Sequence, residues 1–258
     1  MNLLDIIYDI RLRLDDDGGH TNETVPSGYT YYWEADDSTC LWKNIELVRH
    51  LNAAHREIAV RTRCYRDADA IQIPISANVA YYDYDPVILS VEEVLLASTG
   101  QPLTKMQLRD LRPLQDINSS TGTPTHYLEE NTPFRMMLYP TPDGTDSLYL
   151  TVYRLPLYSF EWSGRNGQIL EPPEQIRETL IQGALMYAYQ KRDVDTEDGQ
   201  RQTFHAKEFD KLVGKPVDYR TLEDRRWNAN LDTRITPSPY TVRRRSSRVG
   251  WNTSDWSY

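Results

Sequence analysis

Side chains able to bind another molecule are concentrated at the C-terminal end of the chain. They are Arg243, Arg244, Arg245, Arg248, Trp251, Trp256 and Tyr258. Guanidinium groups form ion pairs with carboxylates or phosphates, and indole and phenol rings fill apolar pockets. The stretch 216–258 that carries them shows no periodicity that would bury them internally. We therefore interpret it as an extended arm that docks on another polypeptide.

Charge is distributed unevenly along the chain. The net charge is −9, and residues 241–258 contribute +3 from four arginines and one aspartate, which leaves −12 for the first 240 residues. Opposite charges in one subunit favour assembly between copies or with a partner, because an acidic surface can receive a basic arm. Fully extended, residues 241–258 would span up to about 60 Å.

Two other interpretations of the arm stay open. It could be a disordered tail, or a terminus that wraps back onto its own body. It could also grip nucleic acid by neutralising phosphates and stacking bases. The acidic body argues against nucleic acid, because it would repel a polyanion, whereas a dedicated nucleic-acid binder usually spreads basic residues across its folded face. A protein partner is therefore favoured.

Residues typical of catalytic sites do not cluster in the sequence. His50 and His55 lie on one predicted helix, but a spacing of five rotates the second by about 500°, so they do not share a face. His55 lies beside the apolar stripe, which favours a hydrogen-bonded packing role. The common signatures of hydrolases, nucleotide-binding proteins and zinc peptidases are absent. We expect neither enzymatic activity nor a cofactor.

Carboxylates are dense in residues 15–40, which contain seven of them and no lysine or arginine. An EF-hand loop counted from Asp15, Asp16 or Asp17 would place Pro26, Ser27 or Gly28 where the bidentate glutamate belongs. This segment is therefore predicted to be a solvated acidic loop without metal.

Composition limits the class of protein. A length of 258 residues with 39% hydrophobic content allows one large domain or two smaller ones. No apolar run is long enough to span a bilayer, and the N-terminus lacks a secretory signal, so we expect synthesis in the cytoplasm. Cys40 and Cys64 are predicted to be free thiols. Eighteen tyrosines and six tryptophans favour contact surfaces that are partly exposed to water.

Four helices are predicted from apolar spacing. They cover residues 2–15 with Asn2 as cap, 44–65, 172 through 187 after two prolines, and 196–213, where His205, Phe209 and Leu212 share a face. Gly18 and Gly19 are expected to end the first helix, and Gly214 the fourth.

Strands are predicted between the helical halves. The apolar alternation at 71–75 and 148–153 and the branched run 87–96 indicate strands. Pro74 places the first strand at a sheet edge. Residues 135–139 and 148–154 are predicted to form an antiparallel hairpin around Asp143 and Gly144.

These elements predict an α+β fold: a four-helix-type bundle with an inserted antiparallel β-sheet domain and an extended C-terminal arm. The predicted parts are a helical part at 1–70 with the acidic loop 15–40, a β domain at 71–163, a helical part at 164–215 that completes the bundle, and the arm at 216–258.

The order of these pieces resembles the head-to-tail adaptor, or connector, proteins of tailed bacteriophages. The resemblance is carried by LLDII at 3–7, RLRLD at 11–15, WKNIELVRHLNAAHRE at 42–57, TGTPTHY at 121–127, LYPTPD at 138–143 and LYLTVYRLP at 148–156. It covers residues 1 to about 215. One departure is Lys43, where such sequences have a serine or threonine cap, so Asn44 is expected to cap the long helix.

The resemblance implies a structural virion protein at the portal-tail junction. Such proteins form a ring, typically of twelve copies, under the portal of a filled capsid, where they provide a platform for tail or nozzle proteins and let genomic DNA pass through the lumen. The seven arm residues named above are then expected to bind the portal. The alternatives are a connector with peptidoglycan hydrolase activity and a nucleic-acid-binding regulator.

Overall fold

The described residues form five α-helices and nine β-strands. A computed structural model describes residues 2–16, 25, 27–106, 120–129, 134–165, 171–191, 198–216, 218 and 221. The helices are α1 (Leu3–Leu14), α2 (Tyr32–Ala35), α3 (Asn44–Thr62), α4 (Arg177–Ala188) and α5 (Gly199–Val213), with 3-10 turns at Trp162–Gly164 and Glu174–Ile176. The strands are β1 (Arg66–Ile75), β2 (Tyr81–Asp83), β3 (Ile88–Leu96), β4 (Thr104–Lys105), β5 (Thr121–Gly122), β6 (His126–Glu129), β7 (Arg135–Tyr139), β8 (Thr141–Pro142) and β9 (Asp146–Arg154). The predicted α+β class is confirmed.

The first helix begins as predicted and ends earlier than predicted. The Asn2 side chain accepts a hydrogen bond from the Leu4 amide at 3.2 Å and caps α1. The helix ends at Leu14, where Asp15 adopts a left-handed conformation with φ of 57°. The prediction that Gly18 and Gly19 end the helix is wrong, because aspartate tolerates this conformation and already turns the chain.

A buried arginine joins the end of α1 to the start of α3. Arg11 is 1% exposed, and its Nη1 donates to Asp16 Oδ2 at 2.8 Å. Its Nη2 donates to the Trp42 carbonyl at 2.9 Å and to Asn44 Oδ1 at 2.7 Å. The guanidinium carbon lies 5.0 Å from the centre of the Trp33 ring. One side chain therefore fixes three separate stretches of backbone.

The acidic segment is not uniformly solvated, which corrects that prediction. Asp16 is 4% exposed and accepts hydrogen bonds from the Leu41 and Trp42 amides. Glu34 is 5% exposed and is paired with Arg165 at 3.0 Å. These carboxylates hold the loop against the helices because their partners lie far away in the sequence.

The long helix starts at Asn44, but Asn44 does not cap it. Its amide donates to Asp37 Oδ2 at 2.6 Å, and the Lys43 amide donates to Glu46 Oε2 at 3.1 Å. The Asn44 side chain is committed to Arg11 instead. The expectation that Asn44 supplies the cap is therefore wrong, since Asp37 from the preceding loop satisfies the helix end.

Helix α3 ends three residues earlier than predicted. It stops at Thr62, and Arg63 adopts a left-handed conformation with φ of 52°. The chain must reverse there because β1 starts at Arg66.

The final helix differs from its prediction in two details. It starts at Gly199 rather than at 196, because Asp198 accepts hydrogen bonds from the Gln200 and Arg201 amides at 3.0 Å each. Leu212 is 50% exposed, so its predicted burial is wrong. The buried face is set by His205, Phe209 and Val213 at intervals of four. The predicted stop at Gly214 is confirmed, with φ of 85°.

Helix α4 is the centre of the helical part. It contacts α1, α3 and α5. Its buried residues are Thr179, Leu180, Ile181, Gly183, Ala184, Leu185, Met186 and Ala188, which surround the helix. A helix that is buried on most sides must be apolar almost all round. Helices α1, α3, α4 and α5 therefore share one hydrophobic core.

The strands form two sheets and an additional strand pair. The order is β1-β9-β3 in an antiparallel sheet and β2-β7-β6-β4 in a mixed sheet, while β5 pairs with β8 in parallel. The edge position predicted from Pro74 is confirmed, since β1 lies at the edge of the first sheet. These strands bury a second core of residues such as Val91, Leu138 and Leu150.

The predicted hairpin between residues 135–139 and 148–154 is wrong. β7 lies in the mixed sheet between β2 and β6, whereas β9 is the central strand of the antiparallel sheet. Strand β9 pairs along most of its length with both β1 and β3, and these two ladders satisfy its backbone on both sides. The turn residues Asp143 and Gly144 therefore connect β8 of the additional strand pair to β9 of the antiparallel sheet.

Two side chains join the helical core to the antiparallel sheet. Arg154 on β9 pairs with Asp67 on β1 and with Glu171 at 2.5 Å. His55 on α3 is 1% exposed, and its Nε2 is hydrogen-bonded to the Tyr65 hydroxyl. The predicted packing role of His55 is confirmed.

Gly183 marks the closest approach among three helices. A Cβ atom at this position would lie 2.7 Å from the Ala54 Cβ and 2.8 Å from the Phe209 ring. We expect Gly183→Ala to lower the free energy of unfolding by about 1–3 kcal/mol, because α3 and α5 would have to move apart. Urea unfolding followed by circular dichroism measures this change. Gly199→Ala is the matched control, since nothing lies within 4 Å of a Cβ there; an equal loss in both variants would contradict the prediction.

Stability is expected to fall in mild acid. Burial lowers the pKa of His55 from 6.5 to about 4. Below pH 6.5 the unfolded chain therefore binds a proton that the folded protein does not, so the free energy of unfolding falls as the pH drops from 6.5 towards 4. Burial also lowers the pKa of His50 and of His205, which acts in the same direction.

The variant His55→Gln should reduce the difference in unfolding free energy between pH 7 and pH 5 by about 1–2 kcal/mol. Urea unfolding at both pH values measures this difference. His126→Gln is the control, because His126 lies at the sheet surface. An unchanged difference in His55→Gln would refute the assignment.

Candidate assembly surfaces

The predicted portal-binding residues lie outside the described residues. They are Arg243, Arg244, Arg245, Arg248, Trp251, Trp256 and Tyr258. The structure does describe the point from which the predicted arm starts, at Gly214 and the residues just after it.

The root of the arm is held by Arg61 on α3. Its Nη1 donates to the Gly214 carbonyl at 2.7 Å and to Asp210 Oδ1 at 2.5 Å, and its Nη2 donates to Glu57. The guanidinium carbon lies 5.0 Å from the centre of the Phe209 ring. Charge-assisted hydrogen bonds of this kind are stronger than neutral ones. They fix the end of α5 to α3 at the position from which the predicted arm starts.

Tyr187 extends this cluster to α4. Its hydroxyl donates to Glu57, the same carboxylate that pairs with Arg61. Burial and the hydrogen bond to Glu57 raise the pKa of Tyr187, so the phenol stays protonated at neutral pH. Three helices are therefore connected at the point where the arm begins.

A stack of aromatic rings runs from α1 across the loop to the 3-10 turn at Trp162–Gly164. The Tyr8 ring lies 4.8 Å from the Tyr31 ring, which lies 4.9 Å from Trp33, and Trp33 lies 6.3 Å from Trp162. Tyr8 is 40% exposed, while Trp33 is 4% exposed. The stack therefore connects the buried core with the surface, as expected for rings with a polar tip.

Arg165 covers the far end of this stack. Its guanidinium carbon lies 4.8 Å from the Trp162 ring and 5.7 Å from the Tyr29 ring. Its Nε donates to Glu34 at 3.0 Å. Tyr29 and Trp162 are thus held in place before any partner binds. A fixed aromatic surface loses little conformational entropy on association.

The histidines and cysteines are separated rather than gathered into a site. His50 stacks on Tyr187 with ring centres 6.5 Å apart, and His55 lies against Tyr65 and Phe160. The two histidines therefore face different neighbours, as their spacing predicts. Cys40 is buried and Cys64 is exposed, and both are free thiols.

Two features are not found in the part of the chain that the structure describes. No group of three or more histidine, cysteine, aspartate or glutamate side chains there is arranged to hold a metal ion. None of the helices described is long and apolar enough to cross a membrane.

Sequence reasoning missed the arginines that position these surfaces. Arg11, Arg61, Arg154 and Arg165 each connect parts of the chain that lie far apart in sequence. A signal was available only for Arg61, because Arg61 and Glu57 have the helical i, i+4 spacing. The other partners are revealed only by the fold.

Comparison with known families gives an extended match. Residues 1–238 match the family model described as SU10 adaptor protein. The match runs past the limit of about 215 expected from the sequence, so it includes the first part of the arm and stops before Arg243. No curated protein matches the chain significantly.

A match over 238 of 258 residues includes both hydrophobic cores, the aromatic stack and the root of the arm. The predicted resemblance is therefore confirmed, and with it the virion as the place where the protein acts. The chain belongs to the SU10 adaptor protein family of bacteriophage head-to-tail adaptors.

Proposed function

We propose that this adaptor assembles into a ring, typically of twelve copies, beneath the portal of the filled capsid. The ring docks on the portal through the C-terminal arms and presents its other side to a tail or nozzle protein. Genomic DNA passes through the lumen without sequence recognition. Each subunit is a four-helix-type bundle with an inserted β domain at 71–163 and an arm at 216–258.

The observation that supports docking best is the fixed root of the arm. Arg61 joins the Gly214 carbonyl and Asp210 to α3, inside the shared helical core. The arm therefore leaves every copy from the same place. In a ring with cyclic symmetry, identical roots repeat at one radius and one height, so that identical sites on a second ring can be reached.

The chemistry of the arm fits a protein groove. Arg243, Arg244, Arg245 and Arg248 supply ion pairs to acidic groups, while Trp251, Trp256 and Tyr258 supply large apolar surfaces. Arginine, tryptophan and tyrosine dominate the energetics of protein interfaces. Residues 241–258 lie beyond the family match, so the proposal for this docking element is argued from its own side chains.

The charge of the body favours free passage of DNA. The first 240 residues carry −12, as derived above from the composition. A lumen bounded by acidic subunits repels phosphates and keeps DNA from adhering while it moves.

The adaptor is proposed to act as a passive scaffold without an enzymatic reaction of its own. Its described histidines are used for packing and surface contacts: His55 binds Tyr65, His205 binds Gln182 at 2.8 Å, and His50 stacks on Tyr187.

Deletion of residues 241–258 should abolish binding to the portal, because it removes every arginine and every large ring assigned to docking. Co-sedimentation of the purified adaptor with portal rings of the same virus measures the bound fraction. We expect at least a tenfold weaker affinity with an unchanged thermal unfolding midpoint.

Two matched variants separate the contributions to docking. Reversal of Arg243, Arg244, Arg245 and Arg248 to glutamate removes the ion pairs, and replacement of Trp251 and Trp256 by alanine removes the apolar anchors. Only the binding that depends on the arginines should weaken when the salt concentration rises. Undiminished co-sedimentation after the deletion would reject docking through the arm.

No hydrolysis of peptidoglycan is expected from the purified protein, because the proposed scaffold carries out no reaction of its own. Zymography on cell-wall material measures this activity. A clearing zone would instead support a connector with hydrolase activity. A gel shift with duplex DNA that persists at physiological salt would support the nucleic-acid-binding alternative.

A further inference from the structure

The outer faces of α1 and α3 belong to two separate helices that pack on the same neighbour. Both helices pack on α4, which is buried on most sides and also contacts α5. A helix that packs on a central neighbour turns its remaining side away from that neighbour. The chain therefore presents two distinct helical faces at its surface.

The outer face of α3 carries unpaired arginines. Ile45, Arg49, Asn52 and Arg56 follow each other at intervals of four, three and four, which keeps them on one side of the helix. Ile45 is 56% exposed, and both arginines are exposed as well. Within the described part of the chain, neither guanidinium takes part in an ion pair or a hydrogen bond. The spacing of seven residues separates the two arginines by about 10 Å along the helix.

This lack of partners is unusual for the protein. The neighbouring arginines Arg61 and Arg66 are paired with carboxylates on the same chain, at 2.5 Å from Asp210 and 2.5 Å from Glu92 respectively. The body is strongly acidic, so carboxylates are plentiful, yet the middle of the longest helix keeps two cations without one.

The outer face of α1 has the complementary pattern. Asp5, Tyr8 and Leu12 follow each other on α1 at intervals of three and four, and Asp15, the left-handed residue that ends the helix, comes three residues later. Leu12 is 66% exposed, Tyr8 is 40% exposed, and both aspartates are exposed. Among the described residues, neither carboxylate forms an ion pair. An apolar centre is thus flanked by two negative charges about 15 Å apart along the helix.

We propose that the outer face of α3 in one copy binds the outer face of α1 in the next copy, an inference that rests on the ring proposed above. Arg49 and Arg56 pair with Asp5 and Asp15, and Leu12 lies between the two ion pairs. The contact joins two different faces, so it is heterologous, and a heterologous contact generates a ring when its rotation closes. Charge complementarity fixes the partner and the register, while the apolar side chains contribute affinity.

A groove beside Arg49 provides space for this contact. It lies between α3 and the end of α4 and has a volume of about 350 Å³. Its lining residues are Glu46, Arg49, His50, Tyr187, Gln190 and Lys191. Tyr187 and His50 stack on each other and form an aromatic wall. An apolar side chain such as Leu12 can enter next to that wall while the Arg49 guanidinium reaches a carboxylate at the edge.

DNA is the competing occupant of the arginine face. Two arginines 10 Å apart could contact a phosphate backbone, but this occupant leaves the acidic face of α1 without a role. It also requires a polyanion to approach a body that carries −12 before residue 241. The neighbouring copy uses both faces at once, so it is the occupant that the charges favour.

Charge reversal tests the contact on the full-length protein with the portal present. The variant Arg49→Glu with Arg56→Glu should lower the fraction of subunits in rings at least tenfold, and so should Asp5→Arg with Asp15→Arg. The four changes together should restore rings, because the signs are complementary again. Negative-stain imaging and mass photometry count the rings. Arg63 already occupies a left-handed position at the end of α3, so an arginine at Asp15 fits the same backbone conformation.

The matched control is Lys207→Glu with Lys211→Glu, which makes the same charge change on exposed residues of α5. This variant should assemble like the wild type, and the thermal unfolding midpoint of every variant should stay within a few degrees. Rings formed by either charge-reversed pair would overturn the interface and leave the proposed ring intact. If the wild type itself forms no ring with the portal, both proposals are overturned. Loss of DNA binding without loss of rings in the α3 variant would assign the arginine face to DNA instead.

Discussion

The structure depends on the buried ion pair between Arg11 and Asp16. Removing a guanidinium and a carboxylate from water is costly, and the cost is offset only if their hydrogen bonds are made inside the protein. Here Arg11 also donates to the Trp42 carbonyl and to Asn44, and Asp16 accepts from the Leu41 and Trp42 amides. These groups come from the end of α1, the acidic loop and the start of α3, so their hydrogen bonds hold the three together, although the buried Arg11 Nε has no hydrogen-bond partner among the described residues. The pair therefore specifies geometry more than it adds stability.

That arrangement determines which surfaces remain available for assembly. With α1 and α3 positioned at their ends, the lack of a side chain at Gly183 lets α4 approach both α3 and α5 closely. The apolar residues of α4 are buried in the core, whereas polar and charged side chains remain on the outer faces of its neighbours. A buried arginine also joins separate parts of the chain at the other end of α3, where Arg61 holds Gly214, from which the predicted arm starts. The described part of the subunit therefore packs around its own cores. The surface that remains for partners is charged or carries partly exposed aromatic rings.

Local patterns predicted the helices well and the long-range pairings poorly. The periodicity of residues 3–14 and 44–62 gave both helix starts, and Gly214 gave the stop of α5, because these features depend on neighbouring residues. The hairpin between β7 and β9 was wrong because strand pairing is decided by ladders such as β1 with β9, whose partners are distant in the sequence. For the same reason Asp16 and Asp37 were predicted to be solvated, although both accept hydrogen bonds from backbone amides. The arm chemistry was visible without any structure, since it rests on composition alone.

The contacts proposed between α3 of one copy and α1 of the next are weak, which suits a ring that has to form only at the portal. An exposed ion pair contributes at most about 1 kcal/mol, so a contact built on two of them and a few apolar side chains is reversible between single copies. A subunit in a closed ring has two such contacts, and both must break before it can leave. If the arms dock as proposed, they add a further contact per copy, and linked contacts strengthen one another because each binding event raises the local concentration for the next. In the proposed assembly, single subunits would therefore separate easily, whereas subunits that meet on a symmetric portal would be retained, so the portal would determine where the ring forms.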